Sequence, residues 1–148
     1  MKQIPLKPVL VTMILLTAWG QTNPVSAHDI TGSLGKTNTA IDYIQVHCYN
    51  DSNGSNDHLE VKIKDLAPVA APKVSIQLTR DNTTTNATDA IDGDAGYSPA
   101  VSVKGGDGYF YITIDKTATG AENYSVQFHC KTSDDQHTGT TISPISDQ

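Results

Sequence analysis

Apolar and polar residues alternate with a period of two along most of this chain, the pattern of strands with one buried and one exposed face. Ile44, Val46 and Cys48 alternate with Tyr43, Gln45 and His47. Leu59, Val61 and Ile63 alternate with Glu60, Lys62 and Lys64, and Val74, Ile76 and Leu78 repeat the pattern. Val101 and Val103 mark a short strand, Phe110, Ile112 and Ile114 a longer one, and Tyr124, Val126, Phe128 and Cys130 the strongest run. Thr140 to Ile145 reads as a last strand, and no segment holds a helical period.

Turn-forming clusters separate these runs. Asp51 to Asp57 is a hairpin loop, Gly105 to Gly108 a tight turn, and Pro68 and Pro72 interrupt the stretch before Lys73. Asp81 to Gly96, rich in Thr, Asn and Asp, reads as the longest loop. About seven short strands with turns between them predict an all-β fold, an Ig-like two-sheet β-sandwich. Cys48 and Cys130 are each the last inward position of their strand, so they can meet in the core as a disulfide.

The N-terminal region stands outside this pattern. Lys2 and Lys7 precede an apolar run from Val9 to Trp19, and Val25-Ser-Ala27 supplies the small residues read by signal peptidases. The run is about 11 residues, against the roughly 20 needed to span a bilayer. Residues 1–27 are therefore expected to be a removed signal peptide, with 28–148 a single periplasmic or secreted domain and no membrane span in the mature chain. Export also favours the disulfide.

Charge narrows the partners. The chain carries 10 Lys and Arg against 16 Asp and Glu, and cleavage removes Lys2 and Lys7, so the mature domain is more acidic still. An acidic surface without a basic patch argues against nucleic acid.

Candidate chemistry gathers at two places. Cleavage after Ala27 makes His28 the N-terminus, offering an amine and an imidazole from one residue, donors that suit copper(II). In the turn after the strongest strand, Asp135 and His137 form an Asp-x-His. Over this stretch Tyr124, Val126, Phe128, Ser133, Asp135, His137 and Gly139 occur in an order that resembles the periplasmic copper-resistance protein C family of copper carriers, as does Ile114-Asp-Lys116 before it. The resemblance covers roughly the last forty residues plus His28. It implies a small β-sandwich in which His28 and His137 are copper(II) ligands and Asp135 is a further ligand or orienting carboxylate. It also implies a copper-handling membrane or periplasmic protein as partner. Both methionines lie in the leader, which excludes a thioether copper(I) site in the mature domain.

Other constellations read as scaffold. His47 and His129 point outward from strands expected in opposite sheets, and His58, beside Asp57, reads as solvated. Asp89, Asp92 and Asp94 have short calcium-like spacing but lack the order of a calcium loop and its distal glutamate, and read as turns. No nucleophile elbow, zinc-protease helix or phosphate loop is present, and aromatics for stacking on sugars are few, so a non-enzymatic role is expected. The sequence thus predicts an exported copper(II) carrier. The reading from another class is an Ig-like extracellular or periplasmic interaction or structural module without metal.

Overall fold

The computed structural model describes residues 28–69 and 72–146; the expected signal peptide and its cleavage point lie outside them. Nine strands form two antiparallel sheets. They are β1 (His28–Leu34), β2 (Asp42–Tyr49), β3 (His58–Asp65), β4 (Val74–Arg80), β5 (Thr83–Thr88), β6 (Val101–Lys104), β7 (Gly108–Lys116), β8 (Glu122–Lys131) and β9 (Gly139–Ser146). The four-stranded sheet has the order β1-β8-β3-β6 and the five-stranded sheet β5-β4-β7-β2-β9. All seven expected strands are present. β1 is added at the start, and β5 lies inside the expected 81–96 loop.

The core follows directly from the period-two pattern. In β3, Leu59, Val61 and Ile63 are buried while Glu60, Lys62 and Lys64 are half-exposed. Val46, Ile76, Leu78, Phe110, Ile112, Ile114, Val126 and Phe128 complete an interior drawn from both sheets. Cys48 on β2 and Cys130 on β8 are joined between the sheets, with Cα atoms 5.6 Å apart. The sheets are tied a second time where the buried Tyr124 hydroxyl donates to Asp42 Oδ2 at 2.5 Å.

The central pairings, β2 with β7 and β3 with β8, reproduce those of the B, E, C and F strands of an Ig sandwich, disulfide included. The flanks differ. In an Ig domain the first strand lies beside B and the last beside F; here β1 pairs with β8 and β9 with β2. This exchange matters for the site, because it lays the N-terminal strand along the strand that leads to the Asp-x-His turn.

Candidate functional site

Antiparallel pairing of β1 with β8 sets His28 opposite Phe128, the residue before His129. Directly paired residues share a face, so the His28 imidazole stacks on the Phe128 ring, centroids 5.6 Å apart. It lies at the mouth of a groove of about 490 Å³ between the β1 and β9 edges, walled by Ile30, Phe128, Thr140 and Ile142.

The Asp-x-His turn folds back on the same strand. Thr132 N–H donates to Gln136 O, Asp135 N–H to Thr132 O, and Thr138 N–H to Cys130 O. Asp135 takes φ 61° at the tight point. The loop after β2 holds the far side: Asn53 Nδ2 donates to the His137 carbonyl at 2.9 Å, and the Thr138 hydroxyl to Gly54 O at 2.6 Å. An isolated bridge then pairs His137 with Lys131, so its side chain lies over the outer face of the four-stranded sheet. There it meets His129, with ring centroids 4.5 Å apart.

His129 was expected to be an exposed strand histidine far from His47. The two do belong to opposite sheets, His47 stacking with Tyr109 on the other face. His129, however, is only half-exposed, and its Nδ1 is buried without a partner. Burial, with the charges of His137 and Lys131, pushes its pKa down to about 4. Burial and then Lys131 lower His137 as well. Both rings are therefore neutral near pH 7, the form that offers a lone pair to a metal. His28, paired with the inward-facing Phe128, lies on the inner side of the same sheet; its charge reaches both rings, and its Nδ1 is likewise buried without a partner.

Asp135 faces elsewhere. Its Oδ1 lies 3.7 Å from His58 Nε2, while His58 Nδ1 is 3.0 Å from Asp57 Oδ2. The His58 side chain is 14% exposed, so the expected solvated residue is a mostly buried ring between two carboxylates. The His58 hydrogen bond, then Lys104, holds the Asp57 carboxyl below its ordinary value. Glu60 pairs across from His129 and binds Lys131 at 2.8 Å. Burial works to raise its pKa, but the Lys131 bond and charge outweigh that and hold it low. Among the described residues, no three His, Cys, Asp or Glu side chains already converge on one point as a metal site. Nor is any helix among them long and apolar enough to cross a membrane.

The opposite face is chemically distinct. Tyr43, Tyr49, Tyr109 and Tyr111, four of the six tyrosines, project from β2 and β7 with 38–52% exposure. Gln45 Nε2 reaches the Tyr111 hydroxyl at 3.4 Å, and His47 lies between Tyr49 and Tyr109. The sequence disclosed few aromatics; folding concentrates most of them on one sheet.

No protein-family model matches this chain, and no curated protein matches it.

Proposed function

We propose that this chain is an exported copper(II)-binding protein that carries or sequesters the ion without turnover. The observation that carries this reading is the corner where His129 meets His137 on the outer face, one residue along β8 from the position that His28 pairs with. Two of these imidazoles have an unpartnered buried nitrogen, and two are held neutral by their surroundings. The donor set is nitrogen-rich, the class copper(II) prefers. If the leader is removed after Ala27, the His28 amine joins the set at the end of β1. Asp135, turned to His58, then acts as a flanking carboxylate, and His129 becomes a ligand beside His28 and His137. A copper-handling protein of the same compartment would be the partner.

The test is a copper(II) titration of protein that begins at His28, read by electron paramagnetic resonance, beside a form carrying one extra N-terminal residue. Tight one-to-one binding with a nitrogen-rich spectrum, weakened by the extension, supports the carrier. Weak binding indifferent to the extension removes it.

A second reading rests on the tyrosine face. Four exposed tyrosines on one sheet face are of a residue type enriched among interface anchors. An Ig-like interaction module would use that face and need no metal. Capture of a partner by the wild-type protein, lost on replacing Tyr109 and Tyr111 by serine, would favour it; a clean monomer without partners in a native extract would count against it.

A further inference from the structure

Away from the histidines, four carboxylates from distant parts of the chain lie near enough to act on one another. Asp65 ends β3, Glu122 opens β8, and Asp89 and Asp92 follow β5. Asp65 is fully buried and Glu122 is 2% exposed. Asp89 is fixed by backbone: its Oδ2 accepts from Asp65 N–H at 2.8 Å and its Oδ1 from Ile91 N–H at 3.3 Å. Asp65 Oδ2 accepts from Val74 N–H at 3.0 Å. Four other oxygens lack such partners. Asp65 Oδ1, both oxygens of Asp92 and Glu122 Oε2 are buried without a hydrogen-bond partner.

These groups feel one another. Asp92 and Asp89 act on Asp65, and Asp65 and Asp92 act on Glu122. The two nearby cations do not resolve the repulsion. Lys73 donates its ammonium to Ala90 O, and Lys116 donates to Gly35 O and Gly120 O.

A buried carboxylate oxygen without a partner is costly, and several together cost more, because like charges repel strongly where water is excluded. Native proteins rarely leave such groups unsatisfied, and an absent ion is one recognised reason for finding them. We propose that Asp65, Asp92 and Glu122, backed by Asp89, form a calcium site that ties the β3 end and the β8 start to the turn after β5.

The donor chemistry selects the ion. All the free donors are carboxylate oxygens, which suit a hard cation and leave copper or zinc no nitrogen or sulfur. Magnesium keeps several waters in a strict octahedron, whereas calcium accepts an irregular, largely protein-supplied shell. Among the described residues no three such side chains converge on one point, so binding must draw the carboxylates together. The spacing of Asp89, Asp92 and Asp94 gave half of this signal, and the partners that complete it are 24 and more residues away.

The experiment is calcium titration of chelator-treated protein at pH 7, by calorimetry and by thermal melting, with magnesium in parallel. One-to-one calcium binding is expected, with a melting temperature raised roughly 5–10 °C in 10 mM calcium and far less in magnesium. Asp92→Asn and Glu122→Gln should each weaken binding at least tenfold. Asp94→Asn alters an exposed carboxylate that caps Gly96 N–H and should leave binding unchanged. Glu122→Gln removes a buried charge and should fold well without calcium. Absence of binding at 10 mM, or binding that Asp92→Asn and Glu122→Gln leave intact, overturns the proposal. An equal rise in all variants would assign the effect to screening of the acidic surface, and overturns it too.

Discussion

The rings of His129 and His137 lie with centroids 4.5 Å apart, tilted by 31°, although the turn between them reverses the chain. That contact joins an outward strand residue and the turn histidine into a neutral imidazole pair on the outer face of the four-stranded sheet. If the pair holds copper(II), His129→Ala and His137→Ala should each lower affinity at least tenfold. His47→Ala, on the opposite sheet, should leave it unchanged. Copper titration with circular dichroism on each variant checks both binding and fold. Equal affinities across the three variants would dissolve the corner as a site.

The disulfide closes a loop with a sequence separation of 82 residues. Chain-entropy reasoning assigns such a closure about 4–5 kcal/mol. Cys48→Ala/Cys130→Ala also empties two fully buried positions in the core. The double variant should therefore lose about 4–5 kcal/mol of stability in urea unfolding. A loss below about 1 kcal/mol would mean that the remaining core fixes both sheets unaided.

Gly32 pairs with Tyr124, and a Cβ there would lie 2.2 Å from the phenol oxygen. The glycine lets the ring cross β1 and reach Asp42 in the other sheet. Gly32→Ala must move the ring or the strand, at a cost of about 1–3 kcal/mol. Tyr124→Phe keeps the ring and removes the donor to a buried carboxylate, costing about 1.5–3 kcal/mol. Denaturant midpoints measure both. If Gly32→Ala were neutral, the close approach would not constrain β1.

The alternation of residues made seven strands legible because each has apolar residues on one face. β1 escaped because Ile30 and Leu34 are its only large apolar residues, and Gly32 stands where Tyr124 supplies the missing bulk. β5 escaped because it is Thr-Thr-Thr-Asn-Ala-Thr at a sheet edge, with Ala87 alone buried. The exchange of flanking strands is invisible to periodicity, which gives each strand a face but no neighbour. The same limit explains the site. His28 and His137 stood out by position and motif. His129 carried only an outward position, and its partner comes from backbone hydrogen bonds that fold the Asp-x-His turn back. Asp65 and Glu122 carried no signal, since nothing local marks a polar residue that a distant loop will cover.

Those two carboxyls set the pH dependence of stability. Burial, then charges including Asp92 and Asp89, raises Asp65 from 3.8 to about 6, against the weaker pull of its Val74 hydrogen bond and of Lys73. Burial, then Asp65 and Asp92, raises Glu122 from 4.5 to about 7, against the pull of Lys116. Between about pH 4 and 7 the folded protein therefore holds protons that the unfolded chain has released, so unfolding becomes easier as pH rises. The stability these groups contribute is full below about pH 4 and is lost as pH passes 6 and then 7. Asp57 and Glu60, held below their ordinary values, act in the opposite sense below about pH 4.5, and His129 and His137, both lowered, act in the opposite sense up to about pH 6.5. In chelator, the melting temperature should fall from about pH 6.5 to pH 8, where the histidines no longer oppose the carboxyls. Glu122→Gln should flatten the fall, because a neutral amide no longer ionises in the buried site. Saturating calcium should flatten it as well, the cation compensating the charge that otherwise favours a proton. A melting temperature that is level or rising across that range, and the same in Glu122→Gln, would show that these carboxyls ionise freely when folded.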